Sequence, residues 1–284
     1  MKNFDRTAAN SILGALAFAA CIPAAFAQST WNGSAIDCGN NTNFGNFYSV
    51  DNSACVPGAA PTPYTVEATA WSTATVASPG TGSSTTAFTA AQLNIYGGGF
   101  GVSNQDEGLN APSDEHTVDN SAAIDLVAYD FGASKIKLQN VTIGYIGNVG
   151  AGNGTASDSD IAVLAYTGSG AASLAAAIGG KTIAQLVAAN SGWTLVGAYS
   201  DLVLNAATAV NAGAVSSSWW LVSAYSTAYD GGTWSVGNDS FKIKAITGVV
   251  TPPGNQTPEP GSLALVGLAV VGMMSVRRRK SHST

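Results

Sequence analysis

Eight apolar runs of seven to eleven residues, separated by Gly, Asn, Ser and Asp, most constrain what this chain can fold into. They are YTVEATAW (64–71), QLNIYGG (92–98), IDLVAYDF (124–131), KIKLQNVTIGY (135–145), DIAVLAY (160–166), WTLVGAYS (193–200), SWWLVSAYS (218–226) and FKIKAITG (241–248). In the last of these Phe241 and Ile243 alternate with Lys242 and Lys244, so a period of two turns the apolar pair inward and the lysines outward. Strands this short, joined by turn residues, predict an all-β domain, an antiparallel β-sandwich of jelly-roll type. The helical exception is SLAAAIGGKTIAQLVAAN (173–190), whose Leu174, Ile178, Ile183 and Leu186 are expected to cover an end of the sandwich, with a break at Gly179-Gly180. One echo stands out: WTLVGAYS at 193–200 recurs as WWLVSAYS at 219–226, which predicts two similarly packed strands.

The two ends of the chain follow different rules. Lys2 and Arg6 precede an apolar run from Ser11 to Ile22, and Ala25 and Ala27 stand at the two positions a signal peptidase reads, so residues 1–27 read as a signal peptide. Cys21 suggests a lipoprotein instead, but Phe18 occupies the place where such a cleavage box usually has Leu. At the other end, residues 261–276 hold sixteen uncharged residues with Ser262 and Ser275 at the edges, so no helical face is polar. Such a helix is about 24 Å long against a hydrocarbon core of about 30 Å, a short transmembrane anchor. Arg277, Arg278, Arg279 and Lys280 follow as a stop-transfer cluster held on the cytoplasmic side.

Pro258, Glu259 and Pro260, the short Gly/Leu/Val-rich span and the arginine cluster, in that order, resemble the PEP-CTERM sorting signal of Gram-negative bacteria that make extracellular polysaccharide. The resemblance implies that exosortase, a membrane protease, recognises the Pro-Glu-Pro region and sends the protein to the surface or the matrix. Together with the strand pattern and the N-terminal segment, it divides the chain into a signal peptide (1–27), an extracytoplasmic β-sandwich (28–250), a Pro/Gly linker (251–257) and a sorting signal (258–284). It also implies signal peptidase and exosortase as processing partners, the membrane as a partner through the C-terminal helix before processing, and extracellular polysaccharide as a candidate partner. DEHTVDN before IDLVAYDF, with SDSDIAVLAY after it, is similar to a group of exosortase-dependent surface proteins of undefined activity.

Between the terminal segments the charge is one-sided. Six of the 11 Lys and Arg lie in those segments, as do Asp5 and Glu259, so residues 28–257 keep five lysines, no arginine and 15 acids, a net charge of about −10. That surface offers no clustered cations for nucleic acid and suits solubility or divalent cations. Once Cys21 leaves with the signal peptide, Cys38 and Cys55 remain as an even pair, expected to be bridged in an oxidising compartment.

The densest polar window is GVSNQDEGLNAPSDEHTVDN (101–120). Asp106, Glu107, Asp114, Glu115 and Asp119 there are hard oxygen donors of the kind calcium takes, with Asp158 and Asp160 as contributors from another loop. The spacing is not that of an EF-hand, and a solvated loop with Asp119 and Asn120 capping turns is the alternative reading. AAAIGGKT (175–182) approximates a phosphate loop, but no strand leads into it. His116 is the one histidine between the terminal segments, and neither a G-x-S-x-G elbow nor an activated-cysteine pattern accompanies it. A noncatalytic surface or matrix protein is therefore the expectation, with a specific carbohydrate-binding module or a matrix-acting hydrolase as the alternatives.

Overall fold

The structure, a computed structural model, describes residues 28–32, 43–50, 65–74, 83–109, 116–147, 158–234 and 237–251. The signal segment with Ala25 and Ala27, the pair Cys38 and Cys55, Asp114 and Glu115, and the sorting signal lie outside these residues. Among the described residues no helix is long and apolar enough to cross a membrane.

The class is the expected one, mostly antiparallel β-sheet. The strands are β1 (Gln28–Asn32), β2 (Phe47–Val50), β3 (Val66–Ser72), β4 (Thr89–Tyr96), β5 (Gly99–Ser103), β6 (Val118–Asp119), β7 (Asp125–Asp130), β8 (Lys135–Ile146), β9 (Ile161–Tyr166), β10 (Trp193–Tyr199), β11 (Ala207–Ala209), β12 (Trp219–Ala224) and β13 (Ser240–Thr251). Two short helices, α1 (Leu174–Ile178) and α2 (Ile183–Leu186), fall between β9 and β10. The strands run in the order β10-β9-β12-β7-β3-β4-β5-β13-β8-β11, with β2 on β3 and with β1 and β6 on β13. β4 joins the two halves: Thr89 to Ala91 pair with β3, whereas Gln92 to Tyr96 pair with β5. The sheet therefore curls on itself, and its inner faces meet.

The main core lies between those faces. Val127, Tyr129, Val163, Trp220 and Val222 of one half meet Leu138, Val141, Ile143, Phe241 and Ile246 of the other in a single buried cluster. The alternate residues of β7, β9 and β12 are apolar too: Leu126, Ala128, Ala162, Leu164 and Leu221 pack outward against Leu174, Ile178, Ile183 and Leu186 of the helices. Burial on both faces is why IDLVAYDF and DIAVLAY lack a polar alternation. The helices thus cover an outer face of the sheet, not an end of a sandwich.

Local chemistry explains the break between them. Thr182 Oγ1 accepts from Gln185 N at 3.2 Å while Thr182 N donates to Gln185 Oε1 at 2.9 Å, a reciprocal cap that starts α2. Gly180 takes the left-handed turn at φ 74°. Lys181 Nζ donates to the carbonyls of Ala176 and Ala177 at 2.9 and 2.8 Å, closing the end of α1. AAAIGGKT is therefore a helix–turn–helix corner with its lysine already engaged.

One side chain expected to face solvent is covered instead. Lys242 is buried, its Nζ 4.3 Å from the centre of the Tyr96 ring and 4.4 Å from that of Tyr145. β13 runs through the middle of its half of the sheet, so the tyrosines of β4 and β8 roof a side chain that an edge strand would have left in water. The ring faces compensate the buried ammonium by cation–π attraction.

Candidate functional site

The acidic residues fall into two sets. Glu107, Asp119 and Asp125 form the first, with a carboxylate oxygen of each within 4.8 Å of the others. Glu107 closes the turn after β5, where Asn104 Oδ1 accepts from Asp106 N and Glu107 N, and Asn104 N donates to Glu107 Oε2 at 2.9 Å. Asp119 ends β6, accepting from Thr117 Oγ1 at 3.2 Å and from Ser121 N at 3.1 Å. The turn-capping role expected for Asp119 is thus present, but in a buried setting that pushes its carboxyl up to about 6. Asp125 opens β7, is fully buried, and has no hydrogen bond of ordinary geometry to either carboxylate oxygen. Burial first, then the charges of Asp119 and Glu107, raise its pKa well above the usual carboxylate range, while the side chains of Ser72 and Asn104 oppose the rise.

Asp158, Asp160 and Asp239 form the second set, again within 4.8 Å of one another. Here the carboxylates act as clasps. Asp239 Oδ1 accepts from Asp160 N at 2.8 Å, Asp160 Oδ1 from Asp201 N at 2.7 Å, and Asp158 Oδ1 from Ser159 N at 2.8 Å. Burial, followed by the charges of Asp160 and Asp158, lifts Asp239 to about 8; burial lifts Asp160 to about 6. Asn120 joins this set to β6. Its Nδ2 donates to Asp239 Oδ2 and to Tyr225 O, and its Oδ1 accepts from Gly237 N and Asp239 N. The sequence placed Asp158 and Asp160 with the 101–120 window, but the fold assigns them to Asp239. Asp106 shares the turn of Glu107 and belongs to neither set.

Sequence reasoning missed Asp125 and Asp239. The first carried a signal, an aspartate inside an apolar strand run. The second sits in NDSF, which reads as an ordinary turn. His116 is buried, with its ring stacked on Tyr96 at 4.1 Å between centroids.

A second feature lies on the outer face beside the helices. The echoed strands β10 and β12 flank β9 on either side, so that Leu195 and Leu221 both stand opposite Leu164. The same register brings both tryptophans to Tyr166, with ring centroids at 5.2 Å for Trp193 and 4.8 Å for Trp219. Trp193 is core; Tyr166 and Trp219 are half-buried. Both line an open cleft of about 320 Å³ whose other walls include Lys135, Thr167, Ser216 and Ser218. Ser217 braces its floor, donating to the carbonyl of Tyr166 at 2.7 Å.

No curated protein matches the chain. Residues 256–280 match the family model described as the PEP-CTERM protein-sorting motif, at the position where Pro258, Glu259, Pro260 and the arginine cluster stand. The chain therefore carries a PEP-CTERM sorting signal, the mark of an exported protein that is anchored in the membrane until exosortase processes it.

Proposed function

We propose that the exported domain acts without catalysis, as a structural or binding component of the extracellular polysaccharide matrix, with the Tyr166–Trp219 cleft as its contact for polysaccharide. The observation that supports this reading is the sorting signal, which marks the chain for export. The cleft supports the binding role. Aromatic ring faces are electron-rich and attract the polarised C–H groups of a sugar ring, while hydroxyls and an ammonium nearby can take its oxygens. Against catalysis, His116 is buried under a tyrosine ring and away from solvent.

Passage of the full-length chain over immobilised polysaccharide from the producing cell tests the reading. Retention without new reducing ends is expected, and Trp219→Ala should weaken it by about two- to tenfold, the worth of one aromatic contact. Release of reducing ends would replace the proposal with a hydrolase, and failure to be retained would remove the polysaccharide contact.

The sorting step gives its own prediction. Glu259→Ala, or deletion of residues 277–280, should leave most of the protein in the membrane fraction or mislocalised, because recognition or topology fails. Fractionation of cells with active exosortase decides it: equal delivery of mutant and wild type to the surface or medium would show that this motif does not direct sorting.

A further inference from the structure

We propose that Glu107, Asp119 and Asp125 form a calcium-binding site at the end of the sheet where the turn after β5, the end of β6 and the start of β7 converge. The three carboxylates come from separate elements, yet each places an oxygen within 4.8 Å of the other two. That spread is what one ion with bonds of about 2.4 Å can bridge. Asp119 and Asp125 are buried, so their mutual repulsion is poorly screened.

Proximity alone would not make a site, since the Asp158–Asp160–Asp239 set is equally close. The difference is in how the oxygens are used. In that second set every carboxylate accepts at least one backbone N–H, and the hydrogen bonds themselves explain why the acids are there. Asp125 is fully buried, and neither of its oxygens receives a hydrogen bond of ordinary geometry. A buried carboxylate with both oxygens unsatisfied is costly unless something binds it, and the groups nearest in charge are two further carboxylates. A divalent cation supplies what is missing. Ser72, whose hydroxyl adjoins Asp125, adds a neutral oxygen of the kind calcium accepts, whereas Asn104 Oδ1 is already taken by Asp106 N and Glu107 N. Magnesium, with bonds of about 2.1 Å and a rigid octahedral demand, would have to draw the three elements together. This site does not depend on the polysaccharide reading, because the cleft is built from the start of β8, from β9 and β12 and from their flanking loops.

The full-length chain, purified in detergent and stripped with EGTA, provides the test. Calcium at ten to a hundred times its Kd should raise the melting temperature by about 3–10 °C, with magnesium doing clearly less, and calorimetric titration should show calcium binding. Asp125→Asn and Glu107→Gln should each weaken calcium binding at least tenfold and remove most of the thermal shift. Both are near-isosteric, and Asp125→Asn takes away a buried charge, so the apo variant should melt no lower than apo wild type. Asp158→Asn should leave calcium binding unchanged. The proposal is overturned if calcium neither binds nor shifts the melting point, if magnesium does as well, or if the calcium shift survives Asp125→Asn. It is equally overturned if Asp158→Asn alone removes the shift, which would move the ion to the other set.

Discussion

Asn120→Ala is expected to destabilise the domain by about 4 kcal/mol, lowering its melting temperature by roughly 10–15 °C. From the sequence this residue is a turn cap, worth about 1 kcal/mol. In the structure it is buried, and all four hydrogen-bonding positions of its amide are engaged, two donated to Tyr225 O and Asp239 Oδ2 and two accepted from Gly237 N and Asp239 N. Truncation strands those partners in a protein interior, where each unsatisfied group costs about 1–3 kcal/mol. Asn120→Asp separates the two halves of the argument. It keeps the two accepting positions but replaces both donors with a charge facing Asp239, so at pH 8 it should be at least as damaging as alanine. At pH 5, where Asp239 holds its proton, part of that loss should return. Equilibrium denaturation of the three proteins at both pH values checks this. A loss near 1 kcal/mol for alanine, with no pH effect for aspartate, would return Asn120 to the rank of a surface cap.

Much of the sheet was legible because apolar periodicity survives wherever a strand has neighbours. All eight runs read as strands are strands, and the break at Gly179-Gly180 falls where helix propensity placed it. The echo between 193–200 and 219–226 did mark equivalent strands, which pack on the two sides of β9. The strands that escaped notice lack such a pattern. β6 and β11 are two and three residues long, β1 is mostly polar, and β2 is a four-residue strand, too short to show a period. β5 reads GFGVS, which looks like a turn. Its glycines serve close packing instead: a Cβ on Gly101 would stand 2.0 Å from the carbonyl oxygen of His116, and one on Gly99, at φ 118°, 2.2 Å from that of Ile243.

The acidic residues were legible as a composition and not as an arrangement. The window 101–120 drew attention because carboxylates are adjacent in sequence, but adjacency along a strand sends side chains to opposite faces. Partnership is set instead by which strand ends meet. Asp119 and Asp125 approach because β6 and β7 share one end of the sheet. Asp239 reaches Asp160 because the residues before β13 run beside those before β9, with Asp158 bridged to Asp239 in parallel. No local pattern carries that information. Lys242 shows the same limit: alternation gave the face of the strand, but only the sheet order reveals that two tyrosines cover it.

In calcium-free buffer the domain should be most stable near pH 5 and lose a few kcal/mol as the pH rises to 8, a reversal of ordinary acid denaturation. Asp239 dominates the expectation. Its folded pKa, about 8, lies above the unfolded value of about 3.8, because burial and the charges of Asp160 and Asp158 disfavour ionisation. The folded state keeps the proton that the unfolded chain releases. Its stabilising contribution is therefore complete below about pH 4 and lost as the pH climbs through about 8. Asp160 and Asp119, both near 6, act in the same direction over a lower window. Asp160→Asn tests the cause. It preserves the oxygen that accepts from Asp201 N, removes the nearest like charge, and offers Asp239 a donor in place of a carboxylate. The variant should gain about 1–2 kcal/mol at pH 8, little at pH 5, and so flatten the profile. Denaturant midpoints across this range supply the measurement. A wild-type curve that is level or falls toward acid would mean that the Asp158–Asp160–Asp239 set is ionised and compensated in the folded protein, and the repulsion argued for it would have to be withdrawn.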